Sequence, residues 1–241
     1  MSKKTEPIRL LHLYPREMNM YGDWGNVLTV KRRLEWHGYK VELLEHHPGQ
    51  PFPDDVDIVI GGGGQDSGQV VVQNDLQKIS ESLHKLASDN VPMLMICGLY
   101  QLFGRFFKTA DDTIIRGIEI FKAETYGGPK RLIGNTIIDS KYGDLIGYEN
   151  HSGLTLLDAD QPALGRVIKG KGNNGEDTTE GAVYRFVFGS YLHGSLLPKN
   201  PALADVLVEA AVTHRFARFS AGSLDDTFAT YAREVARRRP R

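Results

Sequence analysis

The chain carries one cysteine, Cys97, in the stretch MLMICGLYQ (93–101). An apolar run from Met93 to Ile96 stops at the thiol, and Gly98 follows. A thiol on a tight strand-to-helix turn can attack a carbonyl carbon once it is deprotonated. The dipole of a helix starting just beyond it would favour the thiolate. The same local sequence also fits a buried, inert cysteine, because free cysteine is among the most buried residue types. A nucleophile of this kind needs a base. His193 closes the run VFGSYLHG (187–194), where strand-like residues give way to Gly194. An imidazole at that strand end could take the thiol proton. Among the eight histidines, His151 in YENHSG is the rival.

Two further stretches could serve such a reaction. GGGGQD (61–66) offers several closely spaced backbone N–H groups, which can cradle a phosphate or hold an oxyanion. The phosphate pattern ending in Gly-Lys-Ser/Thr is absent, because Gln69 and Val70 stand where its lysine is expected. An oxyanion hole therefore fits better, with a flexible turn as the alternative. GGPKRLIGN (127–135) sets Lys130 and Arg131 beside a strand. A forked guanidinium suits a carboxylate, and an edge-strand surface charge is the bland alternative.

These residues must be positioned by the elements around them. IRLLHLY (8–14), YKVELLE (39–45), VDIVI (56–60) and PMLMI (92–96) read as strands. GNVLTVKRRLEWHG (25–38), DLQKISESLHKLASDN (75–90) and LYQLFGRFF (99–107) read as helices. Strands alternating with helices imply right-handed crossovers and a parallel sheet. Short apolar strands without alternation are what a sheet covered on both faces requires. In such a sheet, sites gather at the carboxyl ends of the strands, and GGGGQD, Cys97 and His193 all fall there. From 116 to 192 the pattern changes to short strands and glycine-rich turns: GIEIF, RLIGNTIID, DLIGYENHSG and VYRFVFGSYLHG. An antiparallel extension of the sheet is expected, with a mobile loop at KGKGNNGEDTTEG (169–181). PALADVLVEAAVTHRF (201–216) and the basic-ended 224–238 segment close the chain as helices. A single domain over 1–241 is expected, with its core over roughly 8–217.

Composition limits the function classes. The 241 residues are 41% hydrophobic, enough for a substantial core. The formal net charge of -1 gives no general pull toward nucleic acid or anionic lipid. One cysteine excludes an internal disulfide framework and fits a reducing compartment. His12 and Pro15 interrupt the basic, partly apolar start, so no signal peptide is expected, and no run reaches the roughly 20 apolar residues of a membrane span. A cytosolic protein without membrane insertion is expected.

Taken together, YGDWGN (21–26), GGGGQD (61–66), ICGLYQ (96–101), RLIGN (131–135), GYENHSG (147–153) and GSYLHG (189–194) resemble the CobB/CobQ-like glutamine amidotransferases, in that order along the chain. Within that family the chain is most similar to the glutaminase subunits of lipid II isoglutaminyl synthase. The resemblance implies the flavodoxin-like class I glutamine amidotransferase α/β fold. It implies hydrolysis of L-glutamine to glutamate and ammonia through a cysteine thioester. It also implies a MurT-like, ATP-dependent Mur ligase partner in a heterodimer, which amidates the D-glutamate α-carboxylate of lipid II. ATP and Mg would belong to that partner, with no metal or cofactor in this chain. By the same resemblance Cys97 is the nucleophile and His193 the base. Gly63, Gly64 and Gly98 hold the oxyanion, Gln101 lines the glutamine pocket and Arg131 binds substrate. The wider class carries a glutamate two residues after the histidine, where this chain has Ser195. The third triad member is therefore expected from Glu149 or from a carboxylate of the partner. The alternatives are an amidotransferase of cobyric-acid-synthase type, a cysteine peptidase on a similar scaffold, and a non-catalytic subunit with a vestigial cysteine.

Overall fold

The computed structural model describes residues 6–220 and 222–240; the basic start at residues 1–5, Ala221 and the final Arg241 lie outside them. Its strands form two sheets. The first contains β1 (Ile8–Leu13), β2 (Val41–His46), β3 (Ile58–Gly61) and β4 (Met93–Ile96). Far later in the chain, β11 (Ala182–Tyr184) and β12 (Val187–Ser190) join it. The order is β11-β12-β4-β3-β1-β2, parallel throughout except for the β11–β12 hairpin. β3, β4 and β12 are buried at every residue, which is why they read as continuous apolar runs rather than alternating ones. The edge strands β2 and β11 mix buried and exposed positions.

Helices cover this sheet. On α1 (Trp24–Trp36), Val27, Val30 and Leu34 bury one face at helical spacing. α2 (Asp66–Lys78) and α3 (Ser80–Ser88) replace the single helix expected over 75–90. The helix starts nine residues earlier because buried Gln69, Val72, Asp75 and Leu76 share one face. That packing overrides the weak helix propensity of Gly68 and of the β-branched run Val70–Val72. The expected helix 99–107 is also divided. α4 (Gly98–Leu102) is one short turn, and the chain then swings at Gly104 so that β5 (Phe106–Lys108) enters the other sheet. A Cβ at Gly104 would lie 2.7 Å from the Ala123 carbonyl oxygen, so no side chain fits this bend.

The antiparallel extension is a separate sheet. β6 (Ile114–Arg116), β7 (Ala123–Asp139), β8 (Leu145–Leu157), β9 (Gly165–Lys169) and β10 (Thr179–Glu180) complete it with β5. Its spine is the 17-residue β7, antiparallel to the 13-residue β8, with a register shift between Gly127 and Leu132. The expected strand GIEIF is not formed; only the residues just before it pair, as β6. The loop 169–181 is ordered, not merely solvated. Asn173 and Asn174 are buried and hydrogen-bonded to the strands beside them. α5 (Pro201–Phe216) falls where the sequence places it. α6 (Thr227–Arg238) lies against β7 and β8, where Ala236 meets Ile137 and Ile146. Arg233 and Arg237 fasten it to Asp144.

Candidate active site

The strand order β2-β1-β3-β4 places the switch in winding direction between β1 and β3, where a doubly wound sheet opens a crevice at its carboxyl edge. Cys97 follows β4 directly, with φ 50 and ψ -102. This backbone region is sparsely populated by residues with a Cβ, at a cost of about 1–3 kcal/mol. It is over-determined by its surroundings: the Cys97 N–H donates to the Ser190 carbonyl, and its own carbonyl accepts from Gln101. The result is a thiol at the tip of a sharp turn, on the N-cap of α4.

His193 lies just beyond β12, 1% exposed. Its backbone is locked to Tyr148 of β8 by a pair of hydrogen bonds, so one residue joins the two sheets. The carboxylate facing its ring belongs to Asp23: Oδ1 is 3.7 Å from Nδ1, and Asp23 is also 1% exposed. Burial works against charging this imidazole. Cys97 and Asp23 outweigh it and hold His193 above its ordinary range.

The Asp23 assignment corrects the expectation for the third carboxylate. Glu149 is buried, but its two oxygens accept the backbone N–H groups of Lys171 and Gly172. It therefore shapes the 171–172 turn and does not face His193. Burial holds its carboxyl above the usual carboxylate range. Within this chain, the carboxylate that faces Nδ1 is that of Asp23. The position where the wider class has glutamate explains the substitution. Ser195 donates its hydroxyl to the Gly22 carbonyl, tying down the 21–26 loop that carries Asp23. The sequence held the signal, an aspartate in YGDWGN next to the carboxyl end of β1, but its partner lies 170 positions away.

The glycine loop is also used differently from the expectation. The Gly63 N–H donates to Asp23 Oδ2 at 2.7 Å, so it orients the carboxylate and is not free for an oxyanion. Gly63 must be glycine, because a Cβ there would lie 2.9 Å from His193 Cε1 and 3.0 Å from Cys97 Cβ. Of the three glycines expected to hold an oxyanion, that leaves Gly64 and Gly98. Their backbones adjoin, since a Cβ on Gly98 would sit 3.0 Å from the Gly64 nitrogen. Gly98 is the first residue of α4, where N–H groups have no acceptor within the helix.

A cleft of about 390 Å³ opens from Cys97 toward the second sheet. Gln101 lines it, held by Gln69 and the Tyr191 hydroxyl. Arg131 lines the opposite wall, where the β7 irregularity carries it outward, and Asn150 braces its guanidinium through both side chain and carbonyl. Lys130 is exposed and does not line the cleft. Asp66, at the start of α2, adds a carboxylate that the sequence reading did not single out. His151 also lines this cleft. Its ring stacks on Tyr191 at 3.6 Å, its Nδ1–H donates to the Gly153 carbonyl, and burial lowers its pKa to about 3. It is thus a neutral wall residue, and Asp23 faces its rival His193. No group of three or more His, Cys, Asp or Glu side chains that could hold a metal ion occurs among the described residues. No helix among them is long and apolar enough to cross a membrane.

A thiol on a strained turn, beside an imidazole and a carboxylate at the carboxyl edge of a parallel sheet, is an arrangement suited to acyl transfer through cysteine. The chain belongs to the CobB/CobQ-like glutamine amidotransferase family, whose model matches residues 9–201. It is 34% identical to the lipid II isoglutaminyl synthase (glutamine-hydrolyzing) subunit GatD of Staphylococcus aureus, over 95% of this chain and 94% of that one. It is 37% identical to the subunit of the same name from Streptococcus pneumoniae, over 87% of this chain and 82% of that one. A crystal structure of a glutamine amidotransferase superposes with a TM-score of 0.58 at 12% identity, covering 83% of this chain and 98% of that one. A likeness at that identity speaks for the fold alone.

Proposed function

We propose that this chain is the glutaminase subunit of a two-subunit lipid II isoglutaminyl synthase. The observation that carries the reading is Cys97 at one end of a cleft whose walls hold Arg131 and Asp66, with the His193 ring packed behind it against Gly63 and Asp23 facing that ring. A guanidinium and a carboxylate in one cleft match the α-carboxylate and α-ammonium of a free amino acid. The side-chain amide of glutamine then reaches toward Cys97.

His193 removes the thiol proton, and the thiolate attacks the amide carbon. The Gly64 and Gly98 N–H groups hold the tetrahedral oxyanion, where each such donor contributes roughly 3–4 kcal/mol to the transition state. Asp23, fixed by Gly63, steadies the imidazolium. When the C–N bond breaks, His193 returns its proton to the departing nitrogen, releasing ammonia and leaving a γ-glutamyl thioester. Water, with His193 again as base, cleaves the thioester to glutamate and the free thiol. The partner is a MurT-like ligase that supplies ATP and Mg and joins the ammonia to the D-glutamate α-carboxylate of lipid II. The names of the two relatives above support this acceptor.

The test is glutamate release from glutamine by the purified chain and by Cys97→Ser, followed by mass spectrometry of lipid II incubated with the complex, glutamine and ATP. Glutamate release that survives in Cys97→Ser, or lipid II left unamidated by the complex, overturns the reading.

A further inference from the structure

Glu180, the last residue of β10, carries a fully buried carboxyl that the mechanism above leaves unused. It reaches the exit of β12. Its Oε1 accepts the Tyr191 N–H at 2.6 Å and the Ser190 hydroxyl at 3.1 Å. Ser190 Oγ in turn accepts the Leu192 N–H at 3.0 Å. One carboxyl oxygen thus gathers the three residues that lead from β12 to His193. The Ser190 carbonyl accepts the Cys97 N–H at 2.8 Å, so the same stretch also holds the strained turn of the nucleophile. We propose that Glu180 is a positioning residue for the catalytic pair, fixing the exit of β12 and with it the His193 ring against Cys97. The inference rests on the glutaminase reading above for the reaction it serves.

Water does not reach this acceptor, because Glu180, Ser190, Tyr191 and Leu192 are all 0% exposed. Without Oε1, a buried N–H and a buried hydroxyl lose their partner, and the chain relieves that cost by turning its peptides. His193 is held from the other side by its hydrogen bonds to Tyr148 of the second sheet. Glu180 fixes its approach from the first sheet. A catalytic group misplaced by about 1 Å costs about a hundredfold in rate. The support is itself anchored. Gly181 exchanges two hydrogen bonds with Asn173, whose Oδ1 also accepts the Tyr100 hydroxyl of α4. The loop 169–181 is thereby tied to the short helix that starts beside Cys97. Burial pushes the Glu180 carboxyl up to about 8, against the hydrogen bonds from Tyr191 and Ser190. At neutral pH the group is an uncharged acid that works as an acceptor. Its Oε2 has no hydrogen-bond partner, so an amide in its place keeps the acceptor and loses no hydrogen bond.

The experiment compares three variants of the full chain. Glu180→Gln keeps the acceptor, Glu180→Leu removes it at similar volume, and Ser190→Ala cuts only the link to Leu192. Glutamate release gives kcat and KM. Alkylation by iodoacetamide reports the thiolate directly, because Cys97 is the only cysteine in the chain. Glu180→Gln should stay within about threefold of wild type in kcat. Glu180→Leu should lose about a hundredfold in kcat with KM within about threefold, since the Arg131 and Asp66 walls are untouched. Its alkylation at pH 7 should slow about tenfold, as the imidazole no longer stands where it takes the thiol proton. Ser190→Ala should lose about tenfold in kcat, and it carries the test where Glu180→Leu fails to fold. Wild-type kcat and alkylation in the folded variants that lack these links overturn the proposal. So does a loss in Glu180→Gln equal to that in Glu180→Leu, or a change confined to KM. A wild-type chain that releases no glutamate overturns the glutaminase reading instead, and the positioning role then stands or falls on the alkylation rates.

Discussion

The two walls of the glutamine cleft are built from different material. On the first-sheet side, the working groups sit within three residues of strand ends buried at every position: Gly64 after β3, Cys97 and Gly98 after β4, and His193 after β12. Much of that wall is backbone, held by carbonyls and by one strained residue. On the second-sheet side, the groups are side chains of a long antiparallel pair: Arg131, Asn150 and His151. Bond-making demands positions held within tenths of an ångström, and a close-packed parallel core supplies them. Recognition of an unreacting carboxylate tolerates more, and an exposed guanidinium braced by one neighbour suffices. Damage to the first wall should therefore appear in kcat, and damage to the second in KM.

The largest effect is expected at Cys97. Cys97→Ala should lower glutamate release by at least about a thousandfold, because the covalent intermediate cannot form. Its fold should be intact by circular dichroism. Cys97→Gly should be equally inactive yet more stable than Cys97→Ala by about 1 kcal/mol in urea, since glycine relieves the positive-φ strain. Equal stabilities would show that the turn stores no strain.

Next come the two carboxylates. Asp23→Asn should lower kcat by about a thousandfold with little change in KM, through the wrong imidazole tautomer and an unsupported charge. Glu149→Gln should keep kcat within about fivefold and instead lower stability by about 1–3 kcal/mol, because a backbone N–H of the 171–172 turn loses its acceptor. The reverse pattern would restore Glu149 to the triad.

This pair also marks how far the sequence could be read. Cys97 and His193 were legible because the signal is local: an apolar strand, a chemical residue and a glycine within a few positions. Asp23 and Glu149 were not, because a carboxylate is assigned by what it faces. One faces a histidine across the chain, and the other faces backbone amides of a loop that read as mobile. The Gly63 N–H was misassigned for the same reason, its acceptor being Asp23. The parallel half of the fold followed from buried apolar strands. The second sheet did not, because nothing local says whether an antiparallel pair extends a sheet or starts another. α2 was hidden by three consecutive valines whose β preference is overruled by burial of one face.

On the second wall, Arg131→Ala should raise the glutamine KM by about 30-fold or more, with kcat within about threefold. Arg131→Lys should restore little, because Asn150 braces two guanidinium nitrogens that an ammonium cannot reproduce. An unchanged KM would remove the guanidinium from recognition and leave the first wall responsible for both tasks.

The smallest effect tests whether the second wall also depends on a neutral ring. His151 is buried against Tyr191, between His193 and Arg131, and its pKa falls from 6.5 to about 3. The unfolded chain therefore takes up a proton at this site near pH 6.5, and the folded chain resists until about pH 3. Stability from this group is complete above the unfolded value and is lost as pH falls below it, by about 2 kcal/mol between pH 8 and pH 5. On the first sheet His12 behaves alike, lowered by burial to about 4, so each sheet contributes one such group. His151→Phe keeps the ring stack and removes the proton site. Urea unfolding at pH 8 and pH 5 should then show wild type losing more stability than the variant, by about 2 kcal/mol; the slope left in the variant combines His12, which loses stability as pH falls, with His193, which gains it. An identical pH dependence in wild type and His151→Phe would mean that the ring accepts its proton in the folded state, so that the recognition wall carries a charge the structure does not assign to it.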